Sequence, residues 1–164
     1  MRNSELWGAG LQWRPLPQAK APTESADETR RLRRCAKAKG AFIVDRDNVV
    51  WQKSIAFSVR IIRLYQHLRK EKHEFVMAKQ VLRSGTSVGA NISESIRAQS
   101  SADFSSKLNI ALKEAEETHY WLLLLMETDY ISEKQFSSLD QDCEELIRLL
   151  TAITKTLSKE KETL

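Results

Sequence analysis

At 164 residues with 41% hydrophobic and 29% charged side chains, the chain has room for one domain with a substantial core and not for two ordinary ones. Aromatics at 7%, 3 Pro and 5 Gly disfavour a turn-rich β-sandwich, a collagen-like repeat or a low-complexity chain. The net charge of +4 is uneven: residues 1–40 hold 9 Lys/Arg against 4 Asp/Glu, and the remainder 17 against 18, so any nucleic-acid surface on the main domain must come from the arrangement of its charges.

Pro15, Pro17 and Pro22 and three of the glycines, Gly8, Gly10 and Gly40, fall in the first 40 residues, which places a boundary near residue 47. Residues 1–47 lack any sustained apolar period and read as a disordered basic tail that does not repay its ordering entropy. A start codon placed upstream of the true one would account for it; within it, residues 29–40 could form a short basic helix. Residues 48–164 read as an all-α domain of four segments with apolar residues at alternating steps of three and four. The first, α1 over roughly 49–70, has the stripe Val50, Phe57, Ile61, Leu64 and Leu68, widened by Ile55, Val59 and Ile62, with Asp47 or Asn48 as N-cap. The second, α2 over roughly 75–98, carries Phe75, Ala78, Leu82, Gly85, Gly89, Ile92 and Ile96. The third, α3 over roughly 102–128, carries Phe104, Leu108, Ala111, Ala115, Thr118, Leu122 and Leu125 after a Ser100 or Ser101 cap. The fourth, α4, opens at Ser132, which has capping-box spacing to Gln135 and a staple pair in Ile131 and Phe136; Phe136, Leu139, Cys143, Leu146, Leu150, Ile153 and Leu157 follow. Short connections make neighbours antiparallel, so an up-down-up-down four-helix bundle is expected.

Gly85 and Gly89 each cost about 1 kcal/mol of helix propensity against Ala. Close approach of a neighbouring helix is the expected reason; a phosphate-cradling turn lacks both the preceding strand and a following Walker-type Lys. Asn91 and Glu94, three apart beside Ile92, are expected to enter a structural polar network or a subunit contact. Glu116 and His119 have the Glu-x-x-His spacing of di-iron bundles, yet a di-iron site needs two such motifs and two further glutamates, all inward. Neither Cys35 nor Cys143 has a second Cys or a His at metal-ligand spacing, which favours a reduced, cytoplasmic setting. No metal, cofactor or catalytic residue is expected. The strongest apolar run, residues 121–126, is far short of the roughly 18 residues that a membrane span needs, so no membrane partner is expected either.

Charge supplies the functional expectation. Lys53, Arg60, Arg63, His67 and Lys70 line one acid-free stripe of α1, and Lys79, Arg83 and Arg97 share a face of α2 if that helix runs its full length. Most acids lie on α3 and α4. Two basic stripes on adjacent helices suit phosphate, which Lys and Arg bind without reading sequence; opposite polarity also suits head-to-tail self-association.

Residues 81–125, with Trp51-Gln52-Lys53 opening α1, Arg83 and Ser84 ahead of Val88, the Ala90-Asn91-Ile92-x-Glu94 segment, Asp103-Phe104, and Ala111 followed by Glu114, resemble the four-helix bundle proteins related to the 23S rRNA intervening-sequence protein. The same group includes the accessory variability protein of diversity-generating retroelements. Ser95 departs from the glycine usual after that glutamate. The resemblance spans roughly residues 48–157 and implies a bundle, a barrel-shaped homopentamer, a basic surface for nucleic acid or a reverse transcriptase, and no enzymatic activity. The combined expectation is a non-enzymatic oligomer binding structured RNA or RNA-DNA hybrid through Lys53, Arg60, Arg63, Lys70, Lys79, Arg83 and Arg97. Gly85 and Gly89 are expected to serve packing, and Asn91, Glu94 and Glu114 a polar network or subunit contact. The alternative is a protein-interaction scaffold, such as a reverse-transcriptase accessory subunit, that does not itself touch nucleic acid.

Overall fold

The computed structural model describes residues 48–162; the expected basic tail, its short helix and Cys35 lie outside the described residues. Four helices follow one another: α1 Val49–Lys70, α2 Val76–Ser95, α3 Ser101–Glu127 and α4 Glu133–Glu162. They pack as α1 on α2, α2 on α3, α3 on α4 and α4 back on α1, an antiparallel up-down-up-down bundle. No helix is long and apolar enough to cross a membrane among the described residues.

Each helix starts where a side chain accepts the amides that its first turn leaves unpaired. Asn48 Oδ1 accepts from Val50 N at 2.8 Å, and Ser100 Oγ from Asp103 N at 3.1 Å. At α4 the Ser132 amide donates to Gln135 Oε1 at 2.9 Å while the Gln135 amide donates back to Ser132 Oγ at 3.3 Å, the reciprocal box read from the sequence. The start of α2 differs from expectation. Glu74, buried one residue before the cap position, takes the amides of Val76 (2.9 Å), Met77 (3.0 Å) and Ala78 (2.6 Å) on its two carboxylate oxygens. Its negative charge also sits at the positive end of the helix dipole. His73 precedes it with φ 52°, so the turn is tight and Phe75 falls outside the helix, half exposed.

The core forms from the inward stripes. The α1 residues Val50, Phe57, Ile61, Leu64 and Leu68, all seven of α3, and Leu139, Cys143, Leu146, Leu150 and Leu157 of α4 are buried, each large side chain contributing about 1.5–3 kcal/mol; of the other expected stripe residues, Val59 and Ile62 face out and Ile55, Phe136 and Ile153 are half-buried at the edge. On α2 the buried face is Ala78, Val81, Ser84, Gly85, Val88, Ile92 and Ser95, turned from the expected stripe so that Leu82, Gly89 and Ile96 sit at its edge. Small residues line the α1–α2 contact. A Cβ on Gly85 would stand 2.8 and 2.9 Å from Ile61 Cγ1 and Cγ2, and one on Gly89 3.1 Å from Ser58 Oγ and 3.6 Å from the Ser54 carbonyl. Between α2 and α3, the buried Ser84 and Thr118 hydroxyls meet at 2.9 Å.

Candidate nucleic-acid interface

α1 carries its cations on the arc next to the core stripe, and α4 closes the bundle against that arc. The stripe is free of acids only along α1 itself. Lys53 Nζ donates to Glu145 at 2.8 Å. Arg60 is more fully committed: one arm donates to the Ser138 carbonyl at 2.7 Å and to Asp142, the other to Ser138 Oγ at 2.7 Å, and only 13% of its side chain is exposed. A planar fork spent on three acceptors of the facing helix has little left for a phosphate. Arg60 is therefore a clamp between α1 and α4, not an open basic residue as the α1 pattern had suggested. The charge polarity expected to suit head-to-tail self-association is partly satisfied within one chain.

The same holds in weaker form on α2. Arg83 reaches Glu117 of α3 at 3.0 Å, but two-thirds of its side chain is exposed, so the pair is readily exchanged for another anion. Arg97 does not lie on α2. The helix stops at Ser95, where the chain tightens into three-residue bonds from Arg97 N to Glu94 O and from Ala98 N to Ser95 O. The shared face with Lys79 and Arg83 needs a helix through residue 97 and is lost, although Arg97 remains exposed in the turn.

One group of cations without an acid partner gathers at one end of the α1–α2 pair. Arg63, Arg69, Lys70, Lys72 and Lys79 lie along the last two turns of α1, the connection and the first turn of α2, and none has a carboxylate within 4.0 Å among the described residues. Arg69, Lys70, Lys72 and Lys79 are exposed and Arg63 is half-buried. Glu74, the buried acid in this stretch, already accepts three amides. His67 is part-buried here; burial first and the Lys72 charge second push its pKa down, against a smaller upward pull from Glu71. The sequence pattern included Arg63, Lys70 and Lys79 but not Arg69 or Lys72, which fall off the stripe and join it only through the turn.

The expected polar network is not one network. Asn91 Nδ2 donates within its own helix to the Ser87 carbonyl at 2.9 Å, and Glu94 pairs across to Lys107 of α3, whose pKa the Glu94 hydrogen bond and then its charge push up. Glu114 Oε2 is shielded from solvent and has no hydrogen-bond partner among the described residues. Ser95, in place of the usual glycine, is buried and donates to the Ile92 carbonyl at 2.7 Å.

Three further titratable groups that the sequence singled out, His119, Glu116 and Cys143, lie on α3 and α4. His119 Nδ1 lies 2.5 Å from Asp140 Oδ1, a tie between α3 and α4 at the core's edge, while Glu116 is exposed. Among the described residues no three His, Cys, Asp or Glu side chains are placed to hold a metal. Cys143 is fully buried, its thiol donates to the Ala115 carbonyl at 3.3 Å, and burial, with Asp140, Glu116 and Glu144 adding to it, pushes its pKa up to about 12, the reverse of a nucleophilic cysteine.

No match is found among curated proteins. A crystal structure of a protein of unknown function from the S23 ribosomal protein family of Bacteroides thetaiotaomicron is 58% identical to this chain, with a TM-score of 0.65, covering 65% of this chain and 99% of its own. The model of the 23S rRNA-intervening sequence protein family matches residues 46–152, the whole of α1, α2 and α3 and most of α4. The chain belongs to the 23S rRNA-intervening sequence protein family.

Proposed function

We propose that the protein is a non-enzymatic, self-associating helical bundle that binds structured RNA or RNA-DNA hybrid through phosphate contacts. The observation that carries this reading is the cluster of Arg63, Arg69, Lys70, Lys72 and Lys79, five cations without an acid partner among the described residues that lie at one end of the α1–α2 pair, whereas Lys53, Arg60, Arg83, Lys107 and Arg148 each pair with a carboxylate. The family description names an rRNA-intervening sequence. Exposed apolar residues on α1 (Val59, Ile62) and α3 (Ile110, Tyr120, Leu123) support association of copies into a ring, a homopentamer by resemblance, in which weak patches add by avidity. The same apolar residues support a second reading, a scaffold docking a protein such as a reverse transcriptase.

The test is an anisotropy titration of the full chain against a structured RNA hairpin at about 50 and 200 mM salt, the range over which phosphate contacts declare themselves. The Arg63→Ala/Lys70→Ala/Lys79→Ala variant is expected to bind more weakly and to lose about 2–3 from the slope of log affinity against log salt, near 0.9 per phosphate contact. Arg60→Ala is expected to lower stability and leave the slope unchanged. The basic tail is common to all variants, so an unchanged slope in the triple variant would remove this surface from the model. Sedimentation analysis of the same protein tests the ring.

A further inference from the structure

We infer that the α1–α2 end of the bundle is a stacking site for an unpaired nucleotide, with Phe75 as the platform; this rests on the RNA-binding reading above. The sequence pattern sends Phe75 to the core, yet the residue is 47% exposed, and the next residue, Val76, is 71% exposed. The ring is held in place rather than loose. Glu74 anchors the backbone immediately after it through three amides, and the Arg69 guanidinium lies 5.5 Å from the Phe75 centroid and 5.6 Å from that of Tyr65. Arg69 also donates to Tyr65 Oη at 3.0 Å. An aromatic ring against a guanidinium, with the exposed Lys70, Lys72 and Lys79 on the same helix ends and connection, presents a π surface together with phosphate-binding cations. That pairing of groups matches a nucleotide, whose base is apolar on its face and whose phosphate is anionic; an acidic peptide would use the cations and leave the ring idle. A base within a duplex has both faces covered by its neighbours, so the ring selects bases in loops, bulges or single-stranded ends.

The experiment uses the full chain, a 10-nucleotide single-stranded RNA carrying 2-aminopurine, and a blunt duplex of the same sequence. Wild type should quench the 2-aminopurine of the single strand on binding. Phe75→Leu should lower single-strand affinity by roughly 5- to 150-fold, the range for loss of one base–aromatic stack, remove the quenching, and leave duplex affinity unchanged. Phe75→Trp should retain both affinity and quenching. Single-strand binding and quenching unchanged in Phe75→Leu would overturn the inference. So would duplex binding by wild type without single-strand binding, which leaves the RNA-binding reading standing. Binding of neither RNA, with poly-glutamate bound instead, would overturn both and turn the patch toward an acidic protein.

Discussion

Replacing Gly85 or Gly89 with Ala should shift stability in opposite directions, although both sit on the same face of α2 four residues apart. Each substitution gains about 1 kcal/mol of helix propensity. At Gly85 the new methyl would meet Ile61 Cγ1 and Cγ2 at 2.8 and 2.9 Å, two branches of a side chain fully buried in the core, so relief requires α1 and α2 to separate. Overpacking of this kind costs about 1–3 kcal/mol, and the net expectation is a loss of about 1 kcal/mol. At Gly89 the tight contact is Ser58 Oγ at 3.1 Å, a hydroxyl that one χ1 rotation moves away, and the backbone contact at 3.6 Å is ordinary; the expectation is a gain of about 0.5 kcal/mol. Urea unfolding followed by circular dichroism at one fixed protein concentration reads the difference, about 1.5 kcal/mol or roughly 6 °C in Tm for a domain of this size. Ile61→Ala removes both clashing carbons and should show a coupling of at least about 1 kcal/mol with Gly85→Ala. A Gly85→Ala protein as stable as the Gly89→Ala one would refute the reasoning.

Glu74→Ala strips three amides of their acceptor and should cost about 1–2 kcal/mol, with Glu74→Gln losing less; thermal melts check the order. Cys143, with its pKa pushed up to about 12, should react with a disulfide reagent at least roughly 100-fold more slowly in the folded protein than in urea, measured in a Cys35→Ser background. His67 is held below its ordinary pKa by burial and then by Lys72, so the unfolded chain takes up the proton more readily. Stability should therefore fall as pH drops through the window just below 6.5 and be unaffected by this group above it. His67→Asn should flatten that part of the profile, and a profile identical to that of wild type would contradict the assignment.

The helices were legible because hydrophobic period and capping chemistry agree along α1, α3 and α4, where the central apolar stripe coincides with the buried face apart from Phe136 and Ile153 at the edge of α4. On α2 they part company. Counting Phe75, Leu82 and Ile96 as core puts the face to one side of its true position, since α2 approaches both neighbours so closely that Ser84, Gly85 and Ser95 are what fit. Hydrophobicity does not report a close approach. The Glu74 cap had a visible signal, an acid just ahead of the first turn, obscured by taking Phe75 as helical. The neutralisation of Lys53 and Arg60 had none: their partners lie 92 and 82 positions away, and only the register of α4 against α1 brings them together. Arg69 and Lys72 were likewise invisible to a stripe drawn along one helix, because a turn gathers them.

Three of the four seams join helices adjacent in the chain, and the fourth, α4 on α1, joins the first helix to the last. The local seams can form through short loops with little closure entropy, whereas the last must bring together segments separated by two whole helices. That distant seam is the one fastened by Lys53–Glu145 and Arg60–Asp142. The ionic strength used to probe ligand release therefore also screens the ion pairs that close the bundle on itself.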